Sequence, residues 1–317
     1  MFRKRPVMVF RDPGHSVDEV DSLHVAESFE DPRAWEDCVV RAHSEAARDP
    51  ELSAVLRASF LQQDRQQAFA DFHASPQANG IAEFIARFGI QADSEVCDLG
   101  CGPGHLAYSL FERGFRRVSA MDPNGEWNTG TGYLRSVVGD GVQIINDLEQ
   151  WRGITARFDA ILSQGTIHHW QHIPRVALDA RRAMKPGAMW FAFSEYFANT
   201  AGELARAIRL HPTASRFRSY EWAYPASAYV DLIQSVGFAL VAVVPYFYGR
   251  NRLVGAMRPV PADLDLAAIE RKVDRGLVAL RGTVEMFWDE VDRFRRQAHG
   301  HRLFTEPQVL VFQRVAC

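Results

Sequence analysis

The stretch Val96-Cys97-Asp98-Leu99-Gly100-Cys101-Gly102-Pro103-Gly104-His105 decides how this chain folds. It reads as a short buried strand running straight into a glycine-rich turn, with a helix following from about Leu106 to Arg113. Glycines at 100, 102 and 104 let the backbone turn sharply and approach a ligand where any Cβ would clash. The helix beyond presents unpaired N–H groups beside that turn, so a nucleotide-like ligand is the first expectation. A dinucleotide-binding fingerprint, G-x-G-x-x-G, puts its third glycine where this chain has His105, and that reading fails. What stands instead is an acid at the strand end followed by G-x-G-x-G.

Asp98-Leu99-Gly100-Cys101-Gly102-Pro103-Gly104 resembles the first motif of the class I S-adenosylmethionine-dependent methyltransferases, in their small-molecule branch. The resemblance implies that Asp98 engages the methionine part of the cofactor through its amino group or bound water. It also implies that Gly100, Cys101, Gly102 and Gly104 make room for that cofactor. A carboxylate suits a cationic sulfonium ligand bearing an ammonium group, whereas it would repel a pyrophosphate. S-adenosylmethionine is therefore the expected cofactor and S-adenosylhomocysteine the product. The fold implied is α/β and Rossmann-like: a seven-stranded, mostly parallel sheet with an antiparallel last strand, N-terminal helices and a C-terminal helical insertion.

The downstream chain follows the order of that family's other motifs. Arg117 to Asp122 reads as a second strand ending in an acid, about 20 residues past the turn, where a carboxylate grips a ribose diol. By resemblance Asp122 takes that role, with Pro123 and Asn124 lining the adenosine end. Val142 to Ile145 reads as the third strand, and Asp147, followed by Leu148, is expected to face the adenine amino group; Asp140 is a competing match. Phe158 to Ser163 resembles the fourth strand, with Gln164 and Gly165 at its mouth. Ala180 to Ala188 looks like a helix end and turn, stopped by Lys185-Pro186-Gly187, and Met189 to Ser194 makes the fifth strand. Phe238 to Val244 and Val309 to Val315 look like the final, antiparallel pair.

Composition agrees. The 317 residues, 47% of them hydrophobic, suffice for a sizeable core, and no stretch approaches the roughly 20 apolar residues of a membrane span. The organisation expected is an N-terminal helical cap over 1–90, a cofactor-binding core over 91–245, and a helical insertion with the closing strand over 246–317. Trp35 to Ala47 carries a helical stripe, Asp49-Pro50 and Ser75-Pro76 are helix starts, and Gly89 ends the last cap helix. Basic Met1 to Arg5 is followed by no long apolar run, which argues against a secretory signal. Four cysteines lack a zinc spacing, and a disulfide between Cys97 and Cys101 would distort the turn, so reduced thiols and a cytoplasmic setting are expected. A net charge of −3 gives no electrostatic case for nucleic acid. No membrane partner is expected either. The insertion, Leu264 to His299, has a stripe through Ile269, Val273 and Leu277 that packs on the body, serves as a lid or, with the other terminal helices, pairs two copies as a homodimer.

The acceptor is expected to be a small molecule methylated at oxygen, nitrogen or carbon. Methyl transfer is an in-line displacement, so the protein has to align the nucleophile, exclude water and, for a hydroxyl acceptor, supply a base. His169 is the first candidate base and His168 the second, because histidine titrates near neutral pH. Glu195 and Tyr196, at the strand-five tip, are further acid–base or hydrogen-bonding candidates. His168 and His172 share a helical spacing, but no third ligand accompanies them and no metal is expected. Aromatics and arginines from Arg216 to Tyr224 could wall an acceptor pocket or hold an anion. Two rivals remain: an enzyme of the same fold using the cofactor for other chemistry, and a non-catalytic binder of cofactor or partner. Asp122→Ala should weaken cofactor binding by roughly tenfold or more, the scale of a lost charge-assisted hydrogen bond. Unchanged affinity by calorimetry would overturn the ribose assignment.

Overall fold

A computed structural model describes residues 32–210, 222–246, 248–254, 265–268, 270–271 and 306–315. The stretch from Arg216 to Glu221, the stripe beyond Ile269, and the N-terminal basic start all lie outside the described residues.

The described residues begin with four helices, α1 (Pro32–Ala46), α2 (Pro50–Ala58), α3 (Arg65–Ala74) and α4 (Pro76–Ala86). The starts of α2, α3 and α4 are fixed by side chains that satisfy orphan N–H groups. Asp49 accepts from the N–H groups of Glu51 and Leu52, Asp64 from Gln67, and Ser75 from Ala78. Helix α3 has no counterpart in the sequence reading, because Arg65-Gln66-Gln67-Ala68-Phe69 buries an arginine among its apolar residues and shows no clean stripe.

Seven strands follow: β1 (Glu95–Leu99), β2 (Arg117–Met121), β3 (Val142–Ile145), β4 (Phe158–Gln164), β5 (Met184–Phe193), β6 (Phe238–Val244) and β7 (Val309–Arg314). They form one sheet in the order β3-β2-β1-β4-β5-β7-β6. The first five run parallel, and β7 lies antiparallel between β5 and β6. Side chains alternate between two apolar layers, as period-two geometry demands. Cys97, Leu99, Trp190, Ala192, Leu310 and Phe312 face one core; Val96, Phe191, Phe193, Val309 and Val311 face the other. The first core is covered by α7 (Leu148–Gly153), α8 (Ile173–Ala183) and α10 (Ala226–Gln234). The second is covered by α3, α4, α5 (His105–Glu112) and α6 (Gly132–Val138). Helix α9 (Ala201–Leu210) follows β5.

Strand five corrects one expectation. Helix α8 does stop at Ala183, but Met184 already pairs with Phe158, and the next paired residue is Met189, opposite Ala160. Lys185-Pro186-Gly187 is therefore a bulge within the strand rather than a turn before it, since proline cannot donate to a ladder and Gly187 takes φ +78°.

Strand order reverses between β1 and β4, so the loops at the carboxyl ends of these two strands splay apart and leave a crevice. Trp190 anchors the sheet beneath it: the ring is fully buried against Phe238 and Phe312, and its indole N–H donates to Ser163 Oγ at 3.0 Å. Trp190→Ala should cost about 3–5 kcal/mol in urea denaturation, the range for a fully buried aromatic. A loss under about 1 kcal/mol would mean this layer repacks freely.

Candidate functional site

At the crevice, β1 delivers Asp98 and the glycine turn, and β2 delivers Asp122. Gly100 and Cys101 donate their N–H groups to Met121 O at 2.8 and 3.1 Å, which brings the two strand ends together. Asp122 Oδ2 accepts from Gly102 N–H and Oδ1 from Asn124 N–H, both at 2.8 Å. Asp98 Oδ2 accepts from Ala107 N–H at 3.0 Å in the first turn of α5. Asp98 is buried and Asp122 half-buried. Burial pushes the Asp98 carboxyl up to about 7 and the Asp122 carboxyl up to about 6, against the opposing pull of those N–H donors. At Gly100 (φ +68°) a Cβ would meet Thr166 Oγ1 at 2.3 Å, so only glycine lets the turn lie against the β4 tip. A Cβ on Gly102 would meet only Thr129 O, at 3.8 Å, which leaves a cradle open to a ligand. An open glycine cradle between a buried and a half-buried carboxylate suits a ligand with a cationic end and a hydroxyl-rich end.

The tips of β4 and β5 are tied by one carboxylate. Ser194 adopts a left-handed backbone (φ +55°), strained for a residue with a Cβ, and this turn swings Glu195 under the neighbouring loop. Glu195 Oε1 accepts from the N–H groups of Thr166 (2.9 Å) and Ile167 (3.0 Å). Its Oε2 lies 3.1 Å from His168 Nδ1. Both side chains of that pair are buried, 2% and 1% exposed, so the contact is screened little by water. With the Nδ1 proton given to Glu195, the imidazole lone pair resides on Nε2. His169 is exposed, its ring 4.1 Å from that of His168, and Tyr196, 48% exposed, packs 5.0 Å from His168 on the other side.

The N-terminal helices reach into the same place. Glu36 of α1 is buried and receives the N–H groups of Asn128 and Thr129, the Asn128 amide and the Thr129 hydroxyl, at 2.6 to 3.1 Å. Thr129 Oγ1 in turn accepts from the Asn124 amide at 2.9 Å, two residues from Asp122. Asn146, at the end of β3, donates to Asp122 O and to Thr131 Oγ1 and completes the loop. Arg65 of α3 sets Nη2 3.2 Å from His105 Nε2, with the rings of Phe60, Phe69 and Phe72 around that histidine. Burial, then the Arg65 charge, holds His105 well below its usual value, so it is neutral at physiological pH.

One cavity of about 560 Å³ takes in these elements. Of the expected cofactor residues, Asp98, Gly100, Cys101, Gly102, Asp122, Pro123, Asn124, Leu148 and Gln164 line it. Gly104 stands just behind, in left-handed geometry (φ +87°) at the start of α5, and Asp147 caps α7 through Glu149 N–H at 2.9 Å. Neither lines the cavity. His168, His169 and Tyr196 line it, while Glu195 supports His168 from beneath. Sequence reading missed Glu36, Arg65 and Thr129, whose roles depend on contacts across 40 to 93 positions of chain. It also missed Trp151, Arg152, Arg175 and Asp179, which close the far side. Among the described residues, no group of three His, Cys, Asp or Glu side chains could hold a metal ion. Nor is any helix among them long and apolar enough to cross a membrane.

A family model described as a methyltransferase domain matches residues 62–243. Curated proteins compared by sequence give no match. The chain is similar to the solved structure of the 1,6-didemethyltoxoflavin-N1-methyltransferase of Burkholderia thailandensis, which holds 1,6-didemethyltoxoflavin and S-adenosylhomocysteine. Identity is 17%, over 84% of this chain and 90% of that one, with a TM-score of 0.43. It is similar also to the YcgJ protein of Bacillus subtilis, at 14% identity over 76% and 99% of the two chains, TM-score 0.44. A phosphoethanolamine N-methyltransferase of Haemonchus contortus shares 15% identity over 74% of this chain and 51% of that one, TM-score 0.42.

Glu36→Ala leaves the buried Thr129 N–H and its neighbours without their acceptor. It should destabilise the protein by about 1–3 kcal/mol in urea denaturation, the cost of stranding a buried donor. A variant as stable as the parent would mean that the loop after β2 is held without α1.

Proposed function

The chain belongs to the methyltransferase-domain family, and we propose that it transfers the methyl group of S-adenosylmethionine to a small-molecule acceptor with His168 as the base. The observation that carries this reading is the shared cavity: the glycine cradle with its two acids and the Glu195-supported His168 open onto one space. When bound, the cofactor supplies an electrophilic methyl carbon and a thioether leaving group.

The chain's own residues do the rest. Asp98 meets the ammonium end and Asp122 the ribose hydroxyls; Asp98 already accepts one backbone N–H and Asp122 two, and each carboxylate can accept further bonds. Leu148 and Trp151 supply apolar surface for the purine. His168 takes the acceptor proton at Nε2, and Glu195 stabilises the resulting imidazolium and fixes the ring's orientation. His169, though first in the sequence reading, is exposed, whereas His168 is buried on Glu195. The residues 1–90 act as the cap over this chemistry. A homodimer contact and a cytoplasmic setting belong to the same proposal.

The test is calorimetric titration with S-adenosylhomocysteine near pH 6.5, in two buffers of different ionisation enthalpy. Below pH 6 both acids hold protons that a cationic ligand must displace; above pH 7 they are ionised and ready. Affinity should therefore rise with pH across that window, with net proton release at pH 6.5. His168→Ala should leave binding within roughly twofold and lower methyl transfer by about 100-fold or more, the usual scale of a lost general base. Absence of binding to either cofactor form would overturn the proposal.

A further inference from the structure

We infer that the acceptor is an uncharged aromatic or heteroaromatic molecule carrying a weakly acidic O–H or N–H, such as a phenol. This rests on the methyl-transfer reading above and adds the chemical class of its acceptor. One wall of the cavity is built from Trp35, Leu56, Phe60 and Phe72 of the N-terminal segment and Leu106 of α5. Among the described residues lining that wall, none carries a charge; Ser59 is neutral, and His105 is kept neutral by burial and by Arg65 behind it. Charges line the cavity at two other places. Asp98 and Asp122 belong to the glycine turn. On the far side, Asp179 is 3.3 Å from Arg175 Nε, 3.7 Å from Arg152 Nε and 3.2 Å from Arg182 Nη1, and Arg152 Nη1 is 2.6 Å from Glu149 Oε1, so each of these charges already has an opposite charge beside it.

An acceptor seated against the aromatic wall would leave water and find no counter-charge there. A carboxylate or ammonium would lose its hydration without compensation, whereas an aromatic ring gains burial and contact with Phe60, which is itself held in a T-shaped pair with the buried Phe72 at 5.1 Å. The one polar task left is the acidic hydrogen. That proton moves to His168 Nε2, and the acceptor lone pair forms the new bond to the methyl carbon as the carbon–sulfur bond breaks. The electron pair stays on sulfur, giving a neutral thioether, a methylated acceptor and an imidazolium beside Glu195.

Three probes of one shape test this: 1-naphthol, 1-naphthoate and 1-naphthylmethylamine, titrated by calorimetry at neutral pH with and without S-adenosylhomocysteine. The naphthol should bind at least about tenfold more tightly than either ion, a preference that desolvation of an unpaired charge readily supplies. Trp35→Ala and Phe60→Ala should each weaken naphthol binding by roughly fivefold or more while leaving S-adenosylhomocysteine affinity within about twofold. Trp35 is only half-buried, so its variant keeps the test alive should Phe60→Ala fold poorly. Equal affinity for the three probes, preference for an ion, no naphthol binding at millimolar concentration, or indifference to both substitutions would each overturn the inference. If the naphthol preference holds while S-adenosylhomocysteine fails to bind, the aromatic site stands and the methyl-transfer reading falls. If S-adenosylhomocysteine binds and the probes are not distinguished, the reverse is true.

Discussion

The buried carboxylate of Glu195 sets where everything else at this site can stand. It sits one residue beyond a strained left-handed turn at Ser194, and it gathers the N–H groups of Thr166 and Ile167 and the His168 ring onto two oxygens. Those bonds fix the β4 tip, and the β4 tip presses Thr166 against Gly100 so closely that no side chain fits between them. Gly100 and Cys101 in turn hang from Met121 O, whose neighbour Asp122 reaches back to Gly102. Four strand ends are thus coupled, largely by short polar contacts. Polar contacts are directional, so the coupling fixes orientation as well as distance.

The same economy explains the two acids under the cradle. An isolated buried carboxylate is costly, and the protein offsets that cost only in part, with one N–H for Asp98 and two for Asp122. Both remain easier to protonate than in water. A site that is electrostatically unsatisfied when empty is selective: the ligand that restores the ionised form must itself bring positive charge and donors. A pyrophosphate would deepen the deficit. The shift in these two groups and the failure of the dinucleotide fingerprint at His105 are therefore two views of one constraint.

The parallel strands were legible because each carries apolar residues on both faces, and the acids that end β1 and β2 could be placed by counting from the glycine turn. The start of β5 was not legible, since Lys185-Pro186-Gly187 carries every local sign of a turn and is held in the ladder only by its neighbours across the bulge. Asp147 shows the same limit at a single residue. Its carboxylate is spent on capping α7, a role that a serine or asparagine could fill, while the adjacent Asn146 builds the loop beside Asp122. Sequence alone ranks an acid above an amide at such a position; the difference is made by which way one residue turns after the strand. His168 and His169 pose the problem again, because adjacency in sequence hides the fact that one ring is buried on a carboxylate and the other stands in solvent.

Nothing local in α1 or α3 marks Glu36 or Arg65, yet these two residues make the N-terminal helices part of the site rather than a cover laid over it. An apolar face alone docks with little preference for register, because burial is roughly proportional to area whichever residues meet. Glu36 can be satisfied only where the Asn128 and Thr129 N–H groups converge, and Arg65 only beside His105 and the carbonyls of Phe60 and Gln62. A slip of one turn would strand a buried charge at each end, a penalty far larger than the packing lost. The aromatic wall of the cavity is consequently held in one register against the glycine turn and His168. Its shape is set by two buried ions, and its uncharged surface follows from their both being spent on holding it there.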